Sequence, residues 1–161
     1  MGCGQILFSE SRTPNLPELA DEWDGRKLSG HASELWWYRQ TKTRDYFALY
    51  QDLSNGFRAD NGFVPQVGFR RGSGEIGRSF YPEEKAITRL RLFTVASYRV
   101  DRDGDVLSQW IQPGFGFDSK LNSFVRVEFL LGEERSGDQL IRRNQIRPRI
   151  QLRPGKVLRS S

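Results

Sequence analysis

Apolar and polar side chains alternate along much of this chain, with the two-residue period of a β-strand. In the segment 121–131, Val125, Val127 and Phe129 share one side, and Arg126 and Glu128 share the other. Helical periodicity is scarce, and its best candidate, residues 17–23, is about two turns long. The pattern therefore predicts an all-β protein.

About eight strands are predicted, separated by clusters of turn-forming residues. They cover residues 5–11, 32–40, 44–53, 67–80, 87–100, 106–117, 121–131 and 145–153. The connections alternate between short ones (41–43, 82–85, 118–122) and long ones (12–29, 54–66, 132–144), and only 101–105 departs from this order. We expect one antiparallel up-and-down meander sheet.

Short turns at one end of the sheet and long loops at the other are typical of outer-membrane β-barrels. Strands of roughly 9–14 residues are also long enough to cross the apolar layer of a membrane when tilted. The alternation places Arg89, Arg91, Arg99 and Arg126 on one side, where they would face a polar lumen. A soluble antiparallel sheet shows the same alternation, so the pattern alone leaves both architectures open.

Composition narrows the function classes. The chain has 161 residues, enough for one domain, and a net charge of +5 that comes from dispersed arginines, so no nucleic-acid partner is expected. A single cysteine, Cys3, excludes an internal disulfide framework, and a single histidine, His31, excludes most histidine-dependent metal sites. We predict no metal site and no cofactor. No signal peptide and no apolar stretch of transmembrane-helix length is visible.

Two motifs have structural rather than chemical explanations. Residues 72–77, GSGEIG, match the dinucleotide-binding pattern G-x-G-x-x-G, but no helical pattern follows them. Glycines in a closely packed strand explain them better. Residues 101–105, DRDGD, are explained by a hairpin turn. With no catalytic constellation in the sequence, we do not expect an enzyme.

Aromatic and basic residues supply the candidate binding site. Trp36, Trp37 and Tyr38 form a dense aromatic group that would serve as a sugar-stacking platform, as an aromatic girdle at a membrane interface, or as an ordinary sheet core. Arg89, Arg91 and Arg126 would attract an anionic solute.

The stretch FRADNGFVPQVGFRR, residues 57–71, carries a resemblance. It resembles the F-R-x-D-x-G-F-V-P-R/Q signature of a bacterial barrel family of unknown function, in which the barrel follows an N-terminal family 9 carbohydrate-binding domain. The matching positions are Phe57, Arg58, Asp60, Gly62, Phe63 and Pro65. The resemblance implies an outer-membrane β-barrel at a Gram-negative cell surface, and it implies no catalytic residues.

Members of that family are longer and carry a signal peptide and the sugar-binding domain ahead of the barrel. We therefore expect residues 1–161 to be one barrel domain or a fragment of a larger barrel, with no second domain. The expected function is surface transport or glycan handling, with the lipid bilayer and an anionic solute or oligosaccharide as partners. The alternative is a soluble β-barrel or sandwich that binds carbohydrate on the aromatic platform.

The signature residues also suggest a local structure. Arg58 and Asp60 are expected to pair and to fold the 54–66 loop back over the barrel mouth. Phe57 and Phe63 would pack beneath the folded loop. This hypothesis links the motif to a structural role and leaves its chemistry open.

Overall fold

Eight antiparallel strands, joined in a single sheet, make up the fold. The computed structural model describes residues 1–12, 25–58, 66–83, 86–119 and 123–152. The strands are β1 (Gly2–Arg12), β2 (Lys27–Gln40), β3 (Arg44–Leu53), β4 (Phe69–Phe80), β5 (Ile87–Asp101), β6 (Val106–Ser119), β7 (Phe124–Ser136) and β8 (Gln139–Gln151). Each strand pairs with its neighbours in sequence, which confirms the predicted all-β meander. None of the described residues belongs to a helix long and apolar enough to cross a membrane.

The strands are long and the sheet is open. They run from 10 residues in β3 to 15 in β5, against a mean of about 5–6 in globular proteins. Within the described ranges, β1 and β8 form the two edges and do not pair with each other. The N–H and C=O groups on the outer side of both edge strands therefore lack ladder partners in the described sheet.

The connection between β7 and β8 corrects the sequence prediction. A long loop was predicted over 132–144, but β7 continues to Ser136 and β8 begins at Gln139, with a two-residue turn between them. Gly137, at a φ of 59°, supplies the left-handed conformation that such a turn requires. The polar residues of 132–144 are paired strand residues, and Arg143 bonds Glu134 at 2.7 Å. Charged side chains on both faces had hidden the alternation.

The remaining connections follow the prediction more closely. The short turns at 41–43 and 102–105 are confirmed, and in the second the Asp101 carboxylate accepts the N–H groups of Asp103 and Asp105. β2 begins at Lys27, so the predicted 12–29 connection is shorter than expected. The helical candidate at 17–23 lies outside the described residues. Of the three long connections predicted at one end of the sheet, 12–29 is thus shorter than expected and 132–144 is replaced by a two-residue turn.

Cross-strand register gives the sheet two chemically different faces, because directly paired residues point to the same side. One row runs Trp37, Ala48, Gly74, Ala96, Ile111 and Leu131 across β2 to β7. The side that carries this row is called the apolar face. The opposite side carries Glu75, Arg91, Arg126 and most of the other charged side chains of the central strands, and is called the polar face.

Burial is the reverse of that in an ordinary soluble sheet. On β7, Leu130 of the polar face is 7% exposed, whereas Leu131 of the apolar face is 48% exposed. On β5, Phe93 and Ser97 of the polar face are 5% and 6% exposed, against 48% for Leu92. Crowding on one side of a sheet is expected when the sheet curves around that side. The polar face is therefore the crowded one.

The glycine motif of 72–77 lies entirely within β4, which confirms the strand explanation. Gly77 shows why a glycine is needed there. A Cβ atom on Gly77 would come within 2.4 Å of the Asp45 carboxylate and 2.8 Å of Arg91 Nη2. The missing side chain leaves room for an ion pair that crosses β4.

Candidate functional site

The polar face carries a dense, nearly balanced set of charges. Its arginines are Arg71, Arg89, Arg91, Arg99, Arg126, Arg143, Arg147 and Arg149, and its carboxylates are Glu34, Asp45, Glu75, Asp101, Asp118, Glu128 and Glu134. Charged groups at a partly buried surface need ion-pair partners, hydrogen bonds or water. The distribution of ion pairs within it decides where a ligand would be attracted.

Arg91 is the centre of the most extensive ion-pair network on this face. Its guanidinium donates to the carboxylates of both Asp45 on β3 and Glu75 on β4. The three side chains are each about one-fifth to one-third exposed, so water screens these pairs only partly. Arg91 therefore ties three strands together, and its charge is balanced within the sheet.

Phe93 lies between two guanidinium groups. The guanidinium carbons of Arg91 and Arg126 lie 4.8 and 4.2 Å from its ring centroid, a distance typical of cation–π contacts. Arg126 also pairs with Glu128, which accepts a 2.7 Å hydrogen bond from Gln112 Nε2. Arg126, like Arg91, is thus held by a carboxylate and an aromatic ring.

Arg89 completes the predicted basic trio. Its Nε donates to Asp118 at 2.8 Å, and both side chains are about 40% exposed. The structure thus places Arg89, Arg91 and Arg126 on one face, as the alternation predicted, and gives each of them a carboxylate partner. They line the site without forming a concentrated positive field.

Two cavities meet at these arginines. The larger, of about 540 Å³, is lined by Tyr38, Asp45, Phe47, Glu75, Arg89 and Arg91, among others. A second, of about 230 Å³, shares Arg89 and Arg91 and extends to Asp118, Arg126 and Arg149. The polar face thus offers space for solutes beside fixed charges of both signs.

The aromatic group is divided by the strand alternation. Trp36 and Tyr38 lie on the polar face with their rings stacked, the centroids 5.7 Å apart at an interplanar angle of 19°. Trp37 points to the apolar face, where it lies 6.5 Å from Tyr46. The structure therefore brings two of the three predicted residues into one platform, and the third belongs to the opposite surface.

The first residues of the signature loop fold back onto the sheet. Phe57 is 6% exposed, and the Arg58 N–H donates to Ser9 Oγ of β1 at 2.9 Å. Ser54 anchors the turn, because its Oγ accepts the His31 N–H at 2.7 Å. A Cβ atom on Gly30 would lie 2.3 Å from Phe57 N, so the loop passes directly over that glycine. The other signature positions, Asp60, Gly62, Phe63 and Pro65, lie outside the described residues.

The apolar face has a charged border. On β3 its charged residues are Arg44 and Asp52, and on β4 they are Arg70 and Arg78; the positions between them are Tyr46, Ala48, Tyr50, Gly72, Gly74 and Ile76. Eight residues at about 3.3 Å each span about 26 Å along a strand, or about 20 Å when the strand tilts by roughly 40°. This is close to the apolar band of about 25 Å of a membrane barrel.

Large apolar side chains fill this band and are exposed. They include Ile6, Phe8, Leu35, Trp37, Tyr50, Ile76, Leu92, Tyr98, Ile111, Phe115, Phe129, Leu131, Ile146 and Ile150, each at least 38% exposed. No described residue forms a second layer over them. An apolar surface this extensive marks an interaction with lipid or with another protein.

At the loop end of the sheet, Asp52 lies beside two arginines and one histidine. Its carboxylate pairs with Arg102 of the β5–β6 turn, and it lies 3.6 Å from both Arg70 Nε and His31 Nε2. Among the described residues, no group of three or more His, Cys, Asp or Glu side chains is arranged to hold a metal ion. Through these contacts Asp52 of β3 links β2, β4 and the β5–β6 turn.

The sequence did not reveal which arginines would lack carboxylate partners. Arg71 and Arg99 lie directly opposite each other on β4 and β5, and within the described chain neither makes an ion pair. The alternation assigns both to one side, but their juxtaposition depends on the register of two strands separated by a connection.

Comparison with protein-family models, with curated proteins and with solved structures gives no significant match.

Proposed function

We propose that this chain is a membrane-embedded segment of an antiparallel β-barrel of the outer-membrane type. Its polar face would line a lumen, and its role would lie in surface transport or glycan handling. The single observation that carries the proposal is the exposed apolar face with charges at its borders. In water such a surface would need a covering layer, whereas in a bilayer it is already in its preferred solvent.

The polar face supports the same proposal from the other side. A water-filled lumen accommodates charged side chains, and on this face Arg91 and Arg126 are held by carboxylates and by Phe93. Closure of the β1 and β8 edges, with each other or with further strands, would satisfy the N–H and C=O groups at both edges.

The test separates a membrane-embedded sheet from a soluble one. The chain is purified in detergent, mixed with preformed liposomes and centrifuged through a density gradient. We expect folded protein to float with the vesicles and to resist extraction by sodium carbonate. Folded, monodisperse protein in detergent-free buffer that stays at the bottom of the gradient would overturn the proposal.

A second candidate, a soluble carbohydrate-binding module, is favoured by one observation. Tyr38 lines the cavity of about 540 Å³ on the polar face, its ring is stacked on that of Trp36, and aromatic rings suit the faces of sugars. Trp fluorescence titrated with an oligosaccharide panel tests it. Trp36→Phe would abolish the response, and Trp37→Phe, on the opposite face, serves as the matched control. A response unchanged by Trp36→Phe would exclude this platform.

A further inference from the structure

We propose that Arg71 and Arg99 form an oxyanion-binding site on the polar face, near the loop end of the sheet. The ligand would be a carboxylate, sulfate or phosphate group, either free or carried by a sugar. This inference deepens the proposed function, since it names the class of solute that the polar face would select. The site itself needs only the β4–β5 pair.

The two arginines face each other at one register position. Residues paired directly across antiparallel strands have Cβ atoms about 4.5–5.5 Å apart, and like charges in this arrangement are destabilising. Both side chains are half-buried, so water screens the repulsion only partly. A bound anion between them would convert the repulsion into two attractions.

The nearest acids are engaged elsewhere. Asp101, two residues beyond Arg99 on β5, accepts the N–H groups of the 102–105 turn through its Oδ1. Glu134, two strands away, accepts a hydrogen bond from Arg143 at 2.7 Å, and it attracts Arg99 electrostatically without forming an ion pair with it. This distinguishes the pair from Arg89, Arg91 and Arg126, whose carboxylate partners already occupy the position that an anion would take.

The donors of the pair are oriented and available. The Arg99 guanidinium carbon lies 4.0 Å from the centroid of the Phe69 ring, a cation–π contact that helps to hold the guanidinium in place. Its Nε is buried and has no hydrogen-bond partner in the described structure. Arg71 Nε donates to Ser97 Oγ at 3.2 Å, which leaves the terminal N–H groups of Arg71 for a ligand. A forked guanidinium binds planar or tetrahedral oxyanions through two parallel hydrogen bonds.

Neighbouring side chains are small and polar. Ser73 and Ser97 pair with each other two register positions along the ladder, on the same face, and Ser108 lies opposite Arg99 on β6. Their hydroxyl groups can donate to further oxygens of an anion. The surroundings thus fit an oxyanion better than a neutral apolar group.

The experiment measures the thermal unfolding midpoint of the full chain in detergent micelles. Sodium sulfate is titrated over low millimolar concentrations at constant ionic strength, since sulfate at high concentration stabilises proteins without binding to one site. Arg71→Gln and Arg99→Gln are compared with Arg78→Gln, a control arginine on the opposite face of β4. Arg99→Lys, which keeps the charge but loses the fork, covers the case in which Arg99→Gln fails to fold.

We expect sulfate to raise the midpoint of the wild-type chain and of Arg78→Gln. We expect an affinity about tenfold weaker in Arg71→Gln, Arg99→Gln and Arg99→Lys, the loss that corresponds to one charge-assisted hydrogen bond of about 1.5 kcal/mol. Equal shifts in all variants, or no shift in the wild type, would overturn the site. A hexuronate titrated beside its neutral hexose distinguishes a sugar-borne carboxylate from an inorganic anion. The titration does not require a closed barrel, so its outcome is separate from that of the liposome test.

Discussion

The ring of Phe93 on β5 lies across Gly114 on β6, so that a Cβ atom on Gly114 would come within 2.4 Å of the ring Cζ. The ring is held from its faces by Arg91 and Arg126 and is almost completely buried. Phe93 therefore packs against Gly114 and both arginines on the polar face.

Gly114→Ala should therefore destabilise the sheet. The added methyl group must displace Phe93, and overpacking of this kind costs about 1–3 kcal/mol. Urea unfolding of the micelle-bound chain measures the effect. Gly72→Ala is the matched control, because nothing lies within 4 Å of a Cβ atom there, and replacing a strand glycine with alanine in open space is neutral or stabilising. Equal stability of the two variants would contradict the packing.

The Arg91–Asp45 pair should be more strongly coupled than the Arg89–Asp118 pair. The first is partly buried and shares a network with Glu75, whereas the second is about 40% exposed. Double-mutant cycles should give a coupling above about 1 kcal/mol for Arg91–Asp45, and about 0–1 kcal/mol for the exposed pair. A coupling as weak for Arg91–Asp45 as for Arg89–Asp118 would show that the ion pairs of Arg91 do not help to hold the strands together.

Asp52→Asn should loosen the loop end of the sheet. The substitution removes the charge that holds Arg102 of the β5–β6 turn, so the turn should be cleaved faster by a protease that acts after arginine. Asp103→Asn, in the same turn, lacks an ion-pair partner among the described residues and is the control. Identical cleavage rates for the two variants would show that Asp52 does not hold the β5–β6 turn.

The signature loop offers a test of the Arg58–Asp60 hypothesis. The buried Phe57 and the bond from the Arg58 N–H to Ser9 agree with a loop folded over the polar face, and the pairing with Asp60 stays a prediction. Asp60→Ala should expose the loop to limited proteolysis, and Phe57→Ala should do so more strongly. Unchanged protease resistance in Asp60→Ala would remove the pair from the hypothesis.

The two faces should respond differently to a new charge. Ile111 lies on the apolar face, and Val95 lies on the polar face one ladder position away. In liposomes, Ile111→Arg should cost about 2–4 kcal/mol of folding free energy, the range for arginine at the midplane on the lipid side of a barrel. Val95→Arg, which faces Glu75 across β4 and β5, should cost less. Equal costs would show that the two faces share one environment.

Local pattern was enough to predict most of the fold. The bounds of β3 were predicted correctly, and the two-sided alternation of β5 and β7 was confirmed. The β7–β8 hairpin was missed because charged residues such as Glu133 and Arg135 lie on the apolar face close to the turn. Alternation identifies strands only where the two sides differ in polarity.

The candidate site was less predictable because it depends on register. Alternation alone placed Arg91 and Arg99 on the same side, but it could not show that Arg91 reaches Asp45 across Gly77 while Arg99 meets Arg71. Trp36 and Trp37 were predicted to share one platform because they are adjacent in sequence, but neighbouring side chains of a strand point to opposite faces. To predict which side chains meet across a sheet, one must know how strands that are distant in sequence pair with each other.

The most direct measurement of the central claim is a scan of lipid exposure along β5. In a Cys3→Ser background, single cysteines at 92, 94, 95, 96 and 97 carry an environment-sensitive fluorophore in liposomes that contain a lipid-attached quencher. We predict emission that is quenched by the lipid-attached quencher at 92, 94 and 96, and emission that is not quenched at 95 and 97. Uniform emission at all five positions, or quenching at 95 and 97 instead, would contradict the assignment of the apolar face to lipid.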